Sequence, residues 1–112
     1  MNCGLDELPE RLSRAWSART ASTWSAANPA RGQCSVTALA VERLFGGEIL
    51  KTPTAAGPHF YNRIAGVRRD FTAAQFEAPV VYLDLPSTKE EALADTSPEQ
   101  LDVLLSGLGS AG

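Results

Sequence analysis

The sequence has little of what metal and disulfide frameworks are made from. Among 112 residues it holds one histidine and two cysteines, Cys3 and Cys34. Two thiols and one imidazole reach neither the ligand count nor the spacing of a structural zinc site, so no metal and no cofactor are expected. Positive charge is not in excess either. Ten Lys and Arg against 13 Asp and Glu leave a formal net charge of −3, which argues against nucleic-acid binding through phosphates. Arg31, Arg63, Arg68 and Arg69 could still form a local anion patch, but most of them read as solvated charges. No run approaches the ~20 apolar residues needed to cross a bilayer. The opening stretch, Met1-Asn2-Cys3-Gly4-Leu5-Asp6-Glu7, carries acids where a secretory leader would carry bases followed by an apolar run. The chain is therefore expected to be cytoplasmic, away from membranes, with both thiols reduced.

The composition that remains, 44% hydrophobic and 21% charged, is that of an ordinary globular protein. One α+β domain over residues 1–108 is expected, followed by a flexible tail at 109–112. Leu5, Leu8, Leu12 and Trp16 recur at helical spacing, with Pro9 near the first turn, and predict a helix from Leu5 to Ser17. Ala18 to Arg31 is polar and ends in Asn28-Pro29-Ala30-Arg31-Gly32, which predicts a loop. A second helix is predicted from Gly32 to Phe45, with Cys34, Ala38, Val41 and Phe45 on one stripe and Gly46-Gly47 ending it. Glu48–Thr52 reads as a strand and Pro53–Pro58 as a loop. His59–Ile64 and Val67–Phe71 read as a hairpin turning at Ala65-Gly66. Thr72 is expected to cap one helical turn through Phe76, and Val80–Leu83 to add a strand. Ser97-Pro98-Glu99-Gln100 is a strong helix start, and Leu101, Leu104, Leu105 and Leu108 give that helix an apolar face.

The chemistry centres on Cys34, at the first turn of its helix. Unpaired amides there carry partial positive charge, which favours a thiolate and can receive a developing oxyanion. The sole histidine, His59, is the base on offer. If Ala65-Gly66 is a two-residue turn, Ile64 faces Val67, Arg63 faces Arg68 and Tyr61 faces Asp70. Alternation then sets His59, Tyr61 and Asp70 on one face, with His59 and Asp70 diagonal neighbours. One more residue in the turn would separate them. In this scheme Asp70 orients the imidazole, His59 takes the proton of Cys34, and the sulfur attacks a carbonyl to form a thioester. Asp84 is the rival for the third role. Gln33 is a candidate oxyanion donor or else a solvated side chain. Trp24 reads as a buried anchor or as a cleft wall, and Asn62 as a strand or loop hydrogen-bonding residue more readily than a catalytic one, with Gln33, Trp24, Tyr61 and Asn62 kept as substrate or oxyanion candidates. Against all this, a cysteine on an apolar stripe is more often a small core residue than a nucleophile.

The runs Asn28-Pro29-Ala30-Arg31-Gly32-Gln33-Cys34-Ser35-Val36-Thr37-Ala38-Leu39, Phe45-Gly46-Gly47-Glu48-Ile49-Leu50, His59-Phe60-Tyr61-Asn62-Arg63-Ile64 and Asp70-Phe71-Thr72 resemble the YunG-like family of small bacterial proteins. The order of Cys, then His on a strand, then Asp on the next also resembles the transglutaminase and arylamine acetyltransferase branch of papain-like enzymes. That resemblance implies a small papain- or transglutaminase-like core in which the helix bearing Cys34 packs on a short antiparallel sheet. It implies Cys34 as nucleophile, His59 as base and Asp70 as orienting acid, with Tyr61 as the aromatic residue two positions after the histidine. The function expected is a cysteine hydrolase or acyl transferase acting on a small-molecule or peptide amide or ester. The alternative is a binding or accessory module that keeps the fold without catalysis. Neither substrate identity nor oligomeric state is legible.

Overall fold

The computed structural model describes residues 4–109. Cys3 and the 110–112 part of the expected tail lie outside them. Helix α1 spans Leu8–Ala15, with Pro9 in its first turn, where the missing N–H costs nothing. Leu8 and Leu12 point inward with no exposure, and burial of each stabilises the fold by roughly 1.5–3 kcal/mol. The helix ends at Trp16, whose indole Nε1 donates to Thr37 Oγ1 at 2.9 Å and so fastens the helix to its neighbour. That neighbour, α2, runs Cys34–Phe45 and stops at Gly46. The last helix, Pro98–Gly107, opens with the expected reciprocal capping box. Ser97 accepts from the Gln100 amide, and the Gln100 side chain accepts from the Ser97 amide. Its Leu104 and Leu105, with Leu108 just past its end, close a core with Leu8, Leu12, Trp16, Val36, Ala40 and Val41.

Four antiparallel strands follow α2 in the chain: β1 Glu48–Thr54, β2 Gly57–Ile64, β3 Val67–Arg69 and β4 Leu85–Pro86, in the order β3-β2-β1-β4. Three sequence expectations are corrected here. The Pro53–Pro58 stretch is mostly not loop: Pro53 pairs with Pro58 across a hairpin that turns at Ala55 and Ala56. At that end β1 and β2 have no outer neighbours, so a proline facing outward loses no ladder bond. Thr54 Oγ1 secures the turn by donating to the Gly57 carbonyl at 2.7 Å and accepting from the Ala56 amide at 3.2 Å. Second, β3 ends at Arg69, leaving Asp70 and Phe71 beyond it. Third, 80–83 forms no strand, because a side chain replaces the ladder: Thr52 Oγ1 donates to the Val81 carbonyl at 2.7 Å and accepts from the Leu83 amide at 3.1 Å.

The β2–β3 turn does have two residues, Ala65 at φ 51° and Gly66 at φ 80°. Both are left-handed, which matches the twist of a tight hairpin. Ile64 accordingly faces Val67 and Arg63 faces Arg68. A five-residue helix not foreseen from the sequence, α3 at Lys89–Leu93, is capped by Thr88, which accepts from the Glu91 amide at 3.1 Å. The Pro98–Gly107 helix is therefore α4. Helix α2 lies on the sheet face that carries Phe60 and Asn62, and the Asn62 side-chain amide donates to the Ala38 carbonyl at 3.1 Å. Residues 76–84 cross the opposite face. The whole is a small α+β domain.

Candidate functional site

Cys34 is the first residue of α2 and is partly exposed. Gly32, two residues earlier, has φ +75°, and a Cβ there would lie 2.0 Å from Thr23 Oγ1. The 28–33 loop can therefore pass close to Thr23 before it enters the helix. That loop is also docked on the short 3-10 turn Ala73–Gln75: Asn28 Nδ2 donates to the Gln75 carbonyl at 3.1 Å, and the Gly32 amide donates to Gln75 Oε1 at 3.4 Å. Among the described residues no side chain caps α2, and no acidic residue stands in its first turn. Its leading amides thus keep their hydrogen-bonding capacity and partial positive charge.

His59 is on β2 and only 1% exposed. Its Nε2 lies 2.7 Å from Asp70 Oδ2. An ionised carboxylate only accepts, so Nε2 carries the hydrogen. The other nitrogen, Nδ1, is buried without a hydrogen-bond partner among the described residues. Tyr61 stacks beside the ring at 5.8 Å between centroids, and Phe76 meets it edge-on at 4.9 Å. Burial opposes the charged imidazole, but the Asp70 hydrogen bond and then the neighbouring Cys34 thiol outweigh it, lifting the His59 pKa from 6.5 to about 9.

Asp70, just beyond β3, spends all its acceptor capacity locally. Burial would raise its pKa, yet hydrogen bonds from His59 and Tyr82, with the His59 charge, hold it below the ordinary carboxylate value. Its Oδ1 accepts from the Thr72 amide at 3.2 Å and the Thr72 hydroxyl at 3.4 Å. Thr72 therefore serves Asp70 and does not cap the following turn, as the sequence had suggested; its side chain makes no cap bond there. The two-residue reach from an aspartate to a later amide is an Asx turn, and it gives the Asp70-Phe71-Thr72 run a physical reason.

The rival acid is elsewhere engaged. Asp84 Oδ1 accepts from the Tyr61 hydroxyl at 2.8 Å, and Arg68 grips both carboxylate oxygens at 2.8 and 2.6 Å. The Arg68 hydrogen bond, chiefly, brings its pKa down to about 2. Gln33 is fully buried and points into the preceding loop, where its Oε1 accepts from Thr20 Oγ1 at 2.8 Å and its Nε2 donates to the Ser17 carbonyl at 3.5 Å. It is not solvated; it braces the segment that delivers Cys34. Trp24 packs partly buried against the helical core, with a buried Nε1 that finds no partner among the described residues. Asn62 ties β2 to α2, as already described. Tyr82 was not singled out from the sequence. Its hydroxyl donates to Asp70 Oδ2 at 2.7 Å, and its ring carries the Arg68 guanidinium at 4.4 Å from its centroid. A depression of about 650 Å³ between residues 27–30 and 74–77 shares Phe76 with this site. Among the described residues, no group of three or more His, Cys, Asp or Glu is placed to hold a metal ion, and no helix is long and apolar enough to cross a membrane.

Fold and site together define a small α+β domain with a four-stranded antiparallel sheet, in which a buried histidine is hydrogen-bonded to an aspartate just beyond the sheet. The YunG protein family model matches residues 4–111, and the chain belongs to that family. The Bacillus subtilis (strain 168) protein named "Uncharacterized protein YunG" is 48% identical over 89 residues, covering 80% of this chain and 77% of that protein. No solved structure matches.

Proposed function

We propose that this protein is a cysteine-dependent acyl-group enzyme, a hydrolase or acyl transferase that passes an acyl group through a thioester on Cys34. The observation that carries the reading is the state of the His59 ring: one nitrogen is tied to an ionised Asp70, the other is buried and bare, and the Cys34 thiol acts on the same ring. In the proposed reaction the thiol proton resides on His59, leaving a Cys34 thiolate beside an imidazolium, and Sγ attacks the carbonyl carbon of an amide, ester or peptide bond. The carbonyl oxygen, now carrying the electron pair, is met by the uncapped amides that open α2. Collapse of this adduct breaks the bond to the leaving group, which receives the proton from His59. Water or an acceptor nucleophile, deprotonated by His59, then attacks the thioester and frees the thiol. Asp70 keeps the ring oriented and its charged form stabilised throughout.

The test is alkylation of Cys34 by iodoacetamide in a Cys3→Ser background. Rapid alkylation at neutral pH that drops sharply in His59→Ala supports the enzyme reading. A second reading, a binding module with the same fold, is favoured by the near-complete burial of His59 at 1% exposure, with Asp70 at 5% for its side chain and Phe76 covering the ring. Alkylation that proceeds only on unfolding, or is indifferent to His59, would favour that module and end the catalytic proposal.

A further inference from the structure

The oxygen of Asp70 that holds His59 is shared. Oδ2 accepts from His59 Nε2 and from the Tyr82 hydroxyl, each at 2.7 Å, at a carboxylate only 5% exposed. Tyr82 lies on the extended 80–84 segment, and that segment is held on three counts. Thr52 Oγ1 grips the backbone on both sides of Tyr82, at Val81 and Leu83. The Tyr61 ring meets the Tyr82 ring edge-on at 4.9 Å. Arg68 stands over the ring while forked to Asp84, and Asp84 is bonded in turn to the Tyr61 hydroxyl by both its carboxylate and its own amide. Burial first, then Asp70, push the Tyr82 hydroxyl pKa upward, so it stays protonated and can only donate to the carboxylate.

We propose that Tyr82 is a positioning residue for the candidate site, fixing Asp70 Oδ2 in line with His59 Nε2 and, by drawing on the same oxygen, setting the strength of the Asp70–His59 bond. The inference rests on His59 acting as the proton acceptor of Cys34. The groups that face the imidazole are Asp70, Cys34, Tyr61 and Phe76. Those that face the Tyr82 ring and hydroxyl are Asp70, Arg68 and Tyr61, with Asp84 acting through the last two. A donor removed from a buried carboxylate leaves its charge less compensated, and that charge then turns more fully on the remaining donor.

The experiment is an NMR pH titration of the imidazole, whose signals are unambiguous because the chain has one histidine. Tyr82→Phe keeps the ring and removes the hydroxyl. The His59 midpoint is expected to rise, by a few tenths of a pH unit to about one, both in the natural protein and in a Cys34→Ala background. An unchanged midpoint overturns the proposal. So does a fall towards 6.5, which would mean that the hydroxyl only shields the ring. If Tyr82→Phe does not fold, 3-fluorotyrosine at position 82 keeps the contacts while donating more strongly, and the midpoint should move down; no movement there is equally fatal. The Cys34→Ala arm separates the two claims. A Tyr82 effect that persists there, beside a Cys34 that proves unreactive, would retire the catalytic reading and leave the Tyr82–Asp70–His59 coupling standing.

Discussion

Replacing Asp70 with asparagine keeps the size of the side chain and an acceptor oxygen but removes the charge that faces His59. In the native protein burial pushes the imidazole pKa down, while the Asp70 hydrogen bond, the Cys34 thiol and the Asp70 charge carry it from 6.5 to about 9. That rise corresponds to about 3 kcal/mol of preference for the folded state when the ring is protonated, at 1.36 kcal/mol per unit. The sign follows from the direction of the shift. The folded-state pKa lies above the unfolded value, so the contribution is complete below about pH 6.5 and is lost as pH rises through about 9. In Asp70→Asn the burial remains and the main lifting group is gone, so the midpoint should fall to about 6.5 or below. Two measurements check this: the imidazole titration from about pH 5 to about pH 10, and urea denaturation at the two ends of that range. The native protein should lose stability across the window, whereas Asp70→Asn should be weaker at the acidic end and nearly flat, so that the two curves converge at high pH. A midpoint that stays near 9 in Asp70→Asn, or a native midpoint at 6.5 or lower, would refute the reasoning.

Cys34→Ala should lower the His59 midpoint in the same titration, but by less than Asp70→Asn, since the Asp70 hydrogen bond ranks above the Cys34 contribution; an equal or larger fall would reverse that ordering. Leu104→Ala should cost about 2–5 kcal/mol in urea denaturation, because Leu104 is completely buried between the helices; a loss under about 1 kcal/mol would show that the site collapses or that α4 is not docked there. Gly32→Ala should destabilise by about 1–3 kcal/mol through its positive φ and its overlap with Thr23. Thr23→Ala added to it should restore only part of the loss, since the overlap goes and the backbone strain stays; full recovery would locate the whole effect in the overlap.

What the sequence determined by itself is local. Ser97, Pro98 and Gln100 specify the start of α4 because every bond of a capping box lies within four residues. Ala65-Gly66 specifies a two-residue turn, and the turn specifies the β2–β3 register, since side chains alternate with a period of two. From that register alone Asp70 could be set diagonal to His59, conditional on the turn length. The Thr88–Glu91 cap of α3 was equally local and readable, a threonine with an acid three residues on, but the helix it starts is only five residues long and shows too little periodicity to stand out. The tertiary structure alone decided which acid serves which partner. The hairpin register favours Asp70 but says nothing of where Asp84 goes; the path of residues 76–84 over the sheet brings Asp84 to Arg68 and Tyr61 and brings Tyr82 to Asp70. That path depends on one side chain, Thr52, bonding to a backbone 29 and 31 residues away. Gln33 turns inward to Ser17 and Thr20 for the same kind of reason. Such bonds join segments distant in the chain, carry no periodicity, and take their geometry from how the helices and the sheet pack.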